Sequence, residues 1–468
     1  MYDAVVVGGG ISGLATAYEL ARRKVPFVLL ESGSRAGGVV LSEQIDGYTI
    51  DAGPDALLVQ KTEAVRLCGE LGLGDRLMPS KLPRLAFIQR GGTLYSLPAA
   101  SVLGIPTRWG PFLRTRLFSW PGKIRMGAEM FVPRRREDSD ESIESFMMRR
   151  FGAEATEYLA EPLLAGIHAG DVGRLSIASL FPRLVQAERN HGSLLRAFRQ
   201  EPAGPSSSDG PFRSLPGGLS EMIDALVRAL PAGSLRFNQP VTDVAVTRSG
   251  FEGRGGSEPA AFRVQTAAGD EITARSLVLA APSYVNARIL RNTDRDLADL
   301  LDAVPYASTA TIALAFPRDA VRHPMQGSGF VVPRSERTGI LAGSWMSSKW
   351  PHRAPEGRVL LRAFVGGARD PKALERSDPE LVSLACQALG RVLGITGAPL
   401  LTRVYRWNRA NAQHEVGHLA RVAAIERALV RQPGLFVTGS GYRGVGIPDC
   451  VADGRATGKL ASEWLAVP

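Results

Sequence analysis

Three glycines spaced as Gly8-x-Gly10-x-x-Gly13 stand between an apolar run that ends at Val7 and a stretch carrying Ile11, Leu14, Ala15 and Tyr18 at helical spacing. No other feature constrains the fold as much. The run before them is short and ends in glycine, as a buried parallel strand does, and the helical pattern continues to about Lys24. A second apolar run covers residues 27–30, giving a strand–helix–strand unit. In such a unit Gly8 permits the tight turn, Gly10 lets the backbone approach a pyrophosphate, and Gly13 allows helix and strand to pack closely. The helix N-terminus offers free N–H groups to the phosphates. Glu31 closes the second strand, where a carboxylate accepts ribose hydroxyls and repels a 2′-phosphate. Glycine spacing alone is weak. Its context makes this a dinucleotide site, with the nucleotide still open.

A length of 468 residues suits two or three lobes rather than one simple core. Apolar residues at 44% and charged ones at 22% exclude a disordered chain. The balance of 56 Lys+Arg against 46 Asp+Glu, +10, suits an anionic substrate or an acidic membrane surface, or is simply a solvated surface of scattered arginines. With no zinc spacing and no nucleic-acid module, nucleic acid is not an expected partner. Cys68, Cys386 and Cys450 stand far apart in no CxxC, which argues against a disulfide framework and for a reduced compartment. The chain opens on a strand without a basic leader, and no run reaches the roughly eighteen apolar residues of a spanning helix. The expected location is cytoplasmic, or peripheral on the inner face of the cytoplasmic membrane.

Further along, helices are expected at 144–150, 154–164, 219–230 and 379–393. Strands are expected at 241–247, 262–266, 276–281, 309–316, 329–332 and 358–365. Residues 201–211 have loop composition, and a Gly-rich hairpin tip is expected at 250–256. The end of the chain repeats the pattern of its beginning, with a strand at 435–438, a glycine turn and a helix over 451–464. The expected architecture is α/β: a Rossmann-like nucleotide domain made discontinuous by two insertions. That domain takes 1–93, 212–285 and 400–468; a helical, membrane-associated lobe takes 94–211; a mixed-sheet substrate domain takes 286–399.

Arg35-Ala36-Gly37-Gly38 after Glu31 resembles the second signature of FAD oxidases of the amine-oxidase and desaturase kind, in which this turn crosses the pyrophosphate and Arg35 sets a positive charge against it. The late strand–glycine–helix element supplies a second helix N-terminus, suited to negative charge on a reduced ring. Together these favour FAD over NAD. The resemblance then narrows. Asp51-Ala-Gly-Pro-Asp-Ala-Leu-Leu, Ala165-Gly-Ile-His-Ala-Gly-Asp171, SIASLFPRL at 176–184, Leu215-Pro-Gly-Gly-Leu219 and Gly441-Tyr-Arg-Gly-Val-Gly-Ile-Pro-Asp-Cys450 are similar, in order, to signatures of the porphyrinogen oxidases. These are oxygen-dependent flavoenzymes of haem biosynthesis. The first expectation is protoporphyrinogen IX to protoporphyrin IX, with coproporphyrinogen III to coproporphyrin III as the alternative. The two substrates differ by two propionates against two vinyls, which the sequence does not distinguish.

What the resemblance implies can be placed on residues. FAD would be held by Gly8, Gly9, Gly10, Ile11, Ser12 and Gly13, by Glu31 and Ser32, and by Arg35, Gly37, Gly38 and Val39. Gly53, Pro54, Asp55 and Ala56 would form a turn beside the flavin, Val241 would lie at the adenine, and Trp407 near the flavin. Gly439, Val445, Gly446 and Ile447 would complete the site. The porphyrinogen would face Gly166, Ser328, Val331 and Phe364, which ordinary core packing also explains. Three departures stand out. Ser328 is smaller than the family's usual residue. The family's propionate-pairing arginine falls near Ala86, leaving Arg84 or Arg90 as counter-ion. The usual Pro-Gln-Tyr reads Ala412-Gln413-His414. Asp55 is expected to contact pyrroles or only to cap a turn.

Flavin would accept the hydride, so the protein would mainly position the macrocycle. No residue is assigned as acid or base; of the six histidines His168 lies nearest a signature, and no metal is expected. In residues 109–125 the aromatics Trp109, Phe112, Phe118 and Trp120 interleave with Arg114, Arg116, Lys123 and Arg125. That pattern seats at a lipid headgroup surface, or covers a helical lobe with arginine stems. O2 is the expected acceptor, and a homodimer is left open. The rival readings are another flavin amine oxidase or desaturase, and a flavin- or tetrapyrrole-binding protein without turnover.

Overall fold

The computed structural model describes residues 2–98, 101, 102, 104–200, 209–247 and 261–466. The expected hairpin tip at 250–256 and most of the expected loop at 201–211 lie outside these residues. Two seven-stranded sheets organise the chain. In the first, Tyr2–Val7 pairs in parallel with Phe27–Leu30 on one side and Glu271–Leu279 on the other. Leu235–Arg236 extends one edge, and Leu435–Val437 pairs in parallel with the end of Glu271–Leu279. Val241–Thr247 and Ala261–Thr266 add an antiparallel flap.

Phe27–Leu30 is buried at every position and Tyr2–Val7 along its last four residues, as a parallel strand covered on both faces must be. Helices Ile11–Arg22, Ser220–Ala229 and Ile447–Ala466 cover one face through Leu14, Leu226 and Val451. Helices Ser283–Leu290, Arg295–Asp302 and His418–Leu429 cover the other through Leu290, Leu301 and Ile425. The turns after Val7, Leu279 and Val437 all open at the carboxyl edge, where open α/β sheets bind their ligands.

The second sheet runs in the order Leu401–Ala412, Tyr306–Pro317, Arg358–Gly366, Ala342–Trp345, Gly329–Val331, Ala86–Arg90, Thr93–Ser96. Its membership departs from the expected divisions at 93 and 400. The hairpin 86–96 joins it through Ala86–Gly329 pairing, and Leu401–Ala412 joins it along Tyr306–Pro317. Pairing between distant segments leaves no local signal, so the sequence sets Ala86–Arg90 and Leu401–Ala412 on the nucleotide side and most of Thr93–Ser96 in the helical lobe. Helix Asp378–Leu393, started by a Ser377–Glu380 capping box, packs Leu381, Ala385 and Leu389 on this sheet. A third cluster gathers helices from Trp109–Arg114 to Leu194–Gln200 around Phe146, Phe151, Leu159 and Leu195. Thr156–Ala165 in this lobe is a wide π turn that carries Pro162 inside it.

Candidate FAD-binding active site

At the first turn each glycine is required for its own reason. Gly8 has φ +106°, where a side chain is strained, and a Cβ on Gly13 would stand 1.9 Å from the Gly8 carbonyl oxygen. A Cβ on Gly10 would meet nothing within 4 Å. Gly10 therefore borders open space, and no side chain caps the helix Ile11–Arg22 that follows it. The first-turn N–H groups are left for an anion. Glu31 is fixed from both sides: Gly9 N–H donates to its Oε2 at 2.6 Å and Gly33 N–H to its Oε1 at 2.7 Å, with the Ser32 hydroxyl at 3.2 Å. Residues on the way to Val241 lie beside it, since Gln239 N–H donates to the Glu31 carbonyl at 2.8 Å.

The RAGG turn lies against this loop. Gly37 N–H donates to the Gly9 carbonyl at 2.8 Å, and a Cβ on Gly38 would stand 3.3 Å from Gly10 Cα. Arg35 donates to the carbonyls of Gly38 at 2.6 Å, Ala36 at 3.1 Å and Val40 at 3.2 Å. Its expected charge toward a pyrophosphate thus comes with a second job, bracing its own turn. Val39 is 39% exposed beside it.

The turn Gly53–Ala56 is gripped by the second sheet. Arg362 donates to the carbonyls of Asp51 and of Gly53, the latter at 2.8 Å, and pairs with Asp55 Oδ1 at 3.0 Å. Asp55 Oδ2 takes Lys349 Nζ at 2.7 Å and Trp350 Nε1–H at 2.8 Å. Burial alone would raise the Asp55 carboxyl; Lys349 and Arg362 outweigh it and hold it well below the usual carboxylate range. Asp55 is an anchoring anion, neither a proton acceptor poised near neutrality nor a simple turn cap. Trp407 Nε1–H donates to the Ala52 carbonyl at 3.1 Å. Sequence reasoning missed the fully buried pair Asp51–Arg353 at 2.9 Å, with the Ser42 hydroxyl on Asp51 at 2.6 Å, which locks the LPGG turn: Arg353 donates to the carbonyls of Leu215 and Pro216.

At the C-terminal turn Gly439 has φ +130°, and Val445 and Gly446 lead into helix Ile447–Ala466. A Cβ on Gly454 would stand 2.3 Å from the Ser12 carbonyl, so this helix packs almost backbone to backbone on Ile11–Arg22. Its first turn carries Asp449, which pairs with Lys61 at 2.6 Å.

The expected porphyrinogen wall is dispersed over two lobes. The Ser328 carbonyl accepts from Ser344 Oγ at 3.2 Å, Phe364 stands opposite Ala342, and Val331 packs on the helical lobe. Gly166 lies near Arg369, which donates to the Val332 carbonyl at 2.6 Å and pairs with Glu161 at 3.4 Å. Arg84 Nε donates to the Ser80 carbonyl and hydroxyl, each at 3.2 Å. Arg90 pairs with Glu154 at 2.8 Å and stacks on Tyr158, which commits it to the joint between hairpin and helical lobe. Among the described residues no group of three metal-ligating side chains gathers.

This fold and site define an FAD-dependent oxidoreductase. The family described as flavin containing amine oxidoreductase matches residues 11–458, and the chain belongs to it. The coproporphyrinogen III oxidase of Bacillus subtilis (strain 168) is 34% identical, with 98% of each chain covered. The chloroplastic protoporphyrinogen oxidase of Oryza sativa subsp. japonica is 30% identical over 99% of this chain and 88% of that one. A solved structure from Exiguobacterium sp. 255-15 superimposes with a TM-score of 0.85 at 31% identity, 98% of each chain being covered. The reduced UDP-galactopyranose mutase shares the fold, with a TM-score of 0.70 at 16% identity, 100% of this chain and 98% of that one being covered.

Proposed function

We propose that this chain oxidises a porphyrinogen to the porphyrin, with coproporphyrinogen III as its substrate. One observation carries the reading: the likeness to the Bacillus subtilis relative runs through the helical lobe and the second sheet as well as the nucleotide sheet. The substrate in that relative's name puts coproporphyrinogen III ahead of protoporphyrinogen IX, reversing the order the sequence suggested. The plant relative keeps protoporphyrinogen IX as the second reading.

Bound FAD supplies the hydride acceptor. Three times over, a bridging methylene gives up a hydride and a pyrrole N–H a proton; a proton shift from the fourth methylene to a pyrrole nitrogen completes the porphyrin, and three O2 become three H2O2. The chain's part is placement. Arg362 fixes the turn 53–56 to the sheet that carries Phe364, so the cofactor side and the substrate side hold one geometry. Gly166, Ser328, Val331 and Phe364 are the proposed wall, and Arg84 the proposed propionate contact. The purified protein is to be mixed in air with each porphyrinogen while porphyrin fluorescence and peroxide are followed. Faster flavin-dependent turnover of coproporphyrinogen III is expected; no flavin-dependent porphyrin from either substrate overturns the reading.

Membrane contact through the helical lobe is part of the proposal in a narrower form than the sequence suggested. Phe112 and Phe118 are buried and Lys123 donates to the Leu113 carbonyl at 2.8 Å, because the lobe's own core consumes them. What faces outward is Leu113, Trp120, Ile124 and Phe131, with Arg114 and Arg116. Such a patch seats in a headgroup layer. Among the described residues no helix is long and apolar enough to cross a membrane.

A further inference from the structure

The loop that departs from the family pattern at Ala412-Gln413-His414 holds two imidazoles in parallel contact. The rings of His414 and His418 stack with centroids 3.7 Å apart and planes 13° from parallel. Both side chains are shut off from solvent, at 1% and 0% exposure. Each reaches the turn between Leu435–Val437 and Ile447–Ala466. His414 Nε2 is 2.9 Å from the Ser440 carbonyl oxygen and His418 Nε2 is 2.8 Å from that of Tyr442. A carbonyl only accepts, so the proton of each ring sits on Nε2. That leaves Nδ1 as an acceptor. At His414 it takes the Ser179 hydroxyl at 3.0 Å; at His418 it is buried with no hydrogen-bond partner.

The arrangement suits two neutral rings, because a proton on Nδ1 of either would place a charge where neither side chain reaches solvent. Burial, and then the neighbouring His418, push His414 down to about 3; burial also lowers His418, against its bond to Tyr442. The charged and titratable groups facing the pair are His168, Arg421 and Asp140. Asp140, on the helical lobe, accepts from Gly417 N–H at 3.0 Å and from the Ser176 hydroxyl at 2.8 Å. The same loop touches the segment Ala165–Asp171, since Gln413 Nε2–H donates to the His168 carbonyl at 3.0 Å.

We propose that His414 and His418 are positioning residues that hang the backbone of Ser440 and Tyr442 from this loop, and through Ser179 from the helical lobe, so that the lobe sets where the C-terminal turn meets the flavin. The proposal rests on FAD binding by this chain, which Gly10→Val tests separately; the porphyrinogen's identity does not enter it. The test compares His414→Phe with His414→Gln, whose amide N–H restores a donor. FAD affinity is titrated on stripped protein and the flavin midpoint potential is measured against a reference dye. His414→Phe is expected to weaken FAD binding by about tenfold, the loss of roughly one buried hydrogen bond, and to move the potential. His414→Gln is expected to return both toward wild type. Wild-type affinity and potential in the Phe variant, or equal impairment in the Gln variant, overturns the proposal. Should the Phe variant fail to fold, Ser179→Ala removes the hydroxyl that ties His414 to the helical lobe. An unmoved potential there overturns it equally.

Discussion

The hydroxyl of Thr16 donates to the carbonyl of Gly454 at 2.9 Å, tying the first helix of the chain to the last. Gly458 continues the contact, where a Cβ would stand 2.8 Å from the Thr16 carbonyl. The two helices approach this closely only because both positions lack side chains, and both helices start at the cofactor's edge of the sheet. Gly454→Ala is therefore expected to force the helices apart at a cost of about 1–3 kcal/mol. Melting temperature and the flavin-to-protein absorbance ratio should both fall. A variant that melts and binds FAD like wild type refutes this account of the contact.

Gly10→Val probes the cofactor without touching the packing. A Cβ at Gly10 meets no protein atom within 4 Å, so the variant should fold and melt like stripped wild-type protein. It should nevertheless purify colourless. A yellow variant with full FAD content contradicts the placement of the pyrophosphate.

Asp55 is paired with Lys349 and Arg362, which hold its carboxyl low. The pH profile of kcat is expected to show no ionisation from Asp55 between about pH 5 and pH 9. Asp55→Asn should cost about 3–5 kcal/mol of stability by leaving two cations with one neutral partner. A working limb near neutrality that vanishes in Asp55→Asn makes Asp55 a base after all.

His168 is pushed down to about 4, first by burial and then by the charge of Lys61. A histidine whose folded value lies below its unfolded 6.5 takes up its proton only on unfolding in the window between the two. Its contribution is intact above 6.5 and is lost as pH falls toward 4. Thermal melting should therefore decline from about pH 7 to pH 4.5, and His168→Phe should decline less steeply. Parallel curves for the two proteins rule out this source of acid sensitivity.

The outward patch of the helical lobe predicts binding to anionic vesicles. Trp120→Ser with Ile124→Ser is expected to lower flotation several-fold while leaving turnover in detergent unchanged. Equal flotation of variant and wild type removes the patch as a membrane contact.

Where chemistry is local, the sequence was legible. The turn Gly8–Gly13 and strand 27–30 could be read from periodicity and glycine spacing, and helix Ile11–Arg22 ends two residues short of the expected Lys24 because the chain turns at Lys24, with φ +59°. The last helix begins at Ile447 rather than at 451, since Pro448 is tolerated in a first turn. What stayed hidden depends on partners far along the chain. Nothing near Arg353 announces Asp51, nothing near Arg90 announces Glu154, and nothing in a strand at 401–412 says which sheet it will join. The histidine pair is the intermediate case. His414 and His418 stand four apart in plain view, and only the fold shows that both rings turn to one carbonyl-lined turn.

A cradle assembled from both extremities of the chain also dictates a timetable. Leu435–Val437 and Ile447–Ala466 leave the ribosome on the order of tens of seconds after Val7 at ordinary synthesis rates. Until then the apolar edge of Glu271–Leu279 has no partner and the first helix lacks the neighbour that Thr16 awaits. The full set of turns around the site therefore exists only after Ile447–Ala466 has been made.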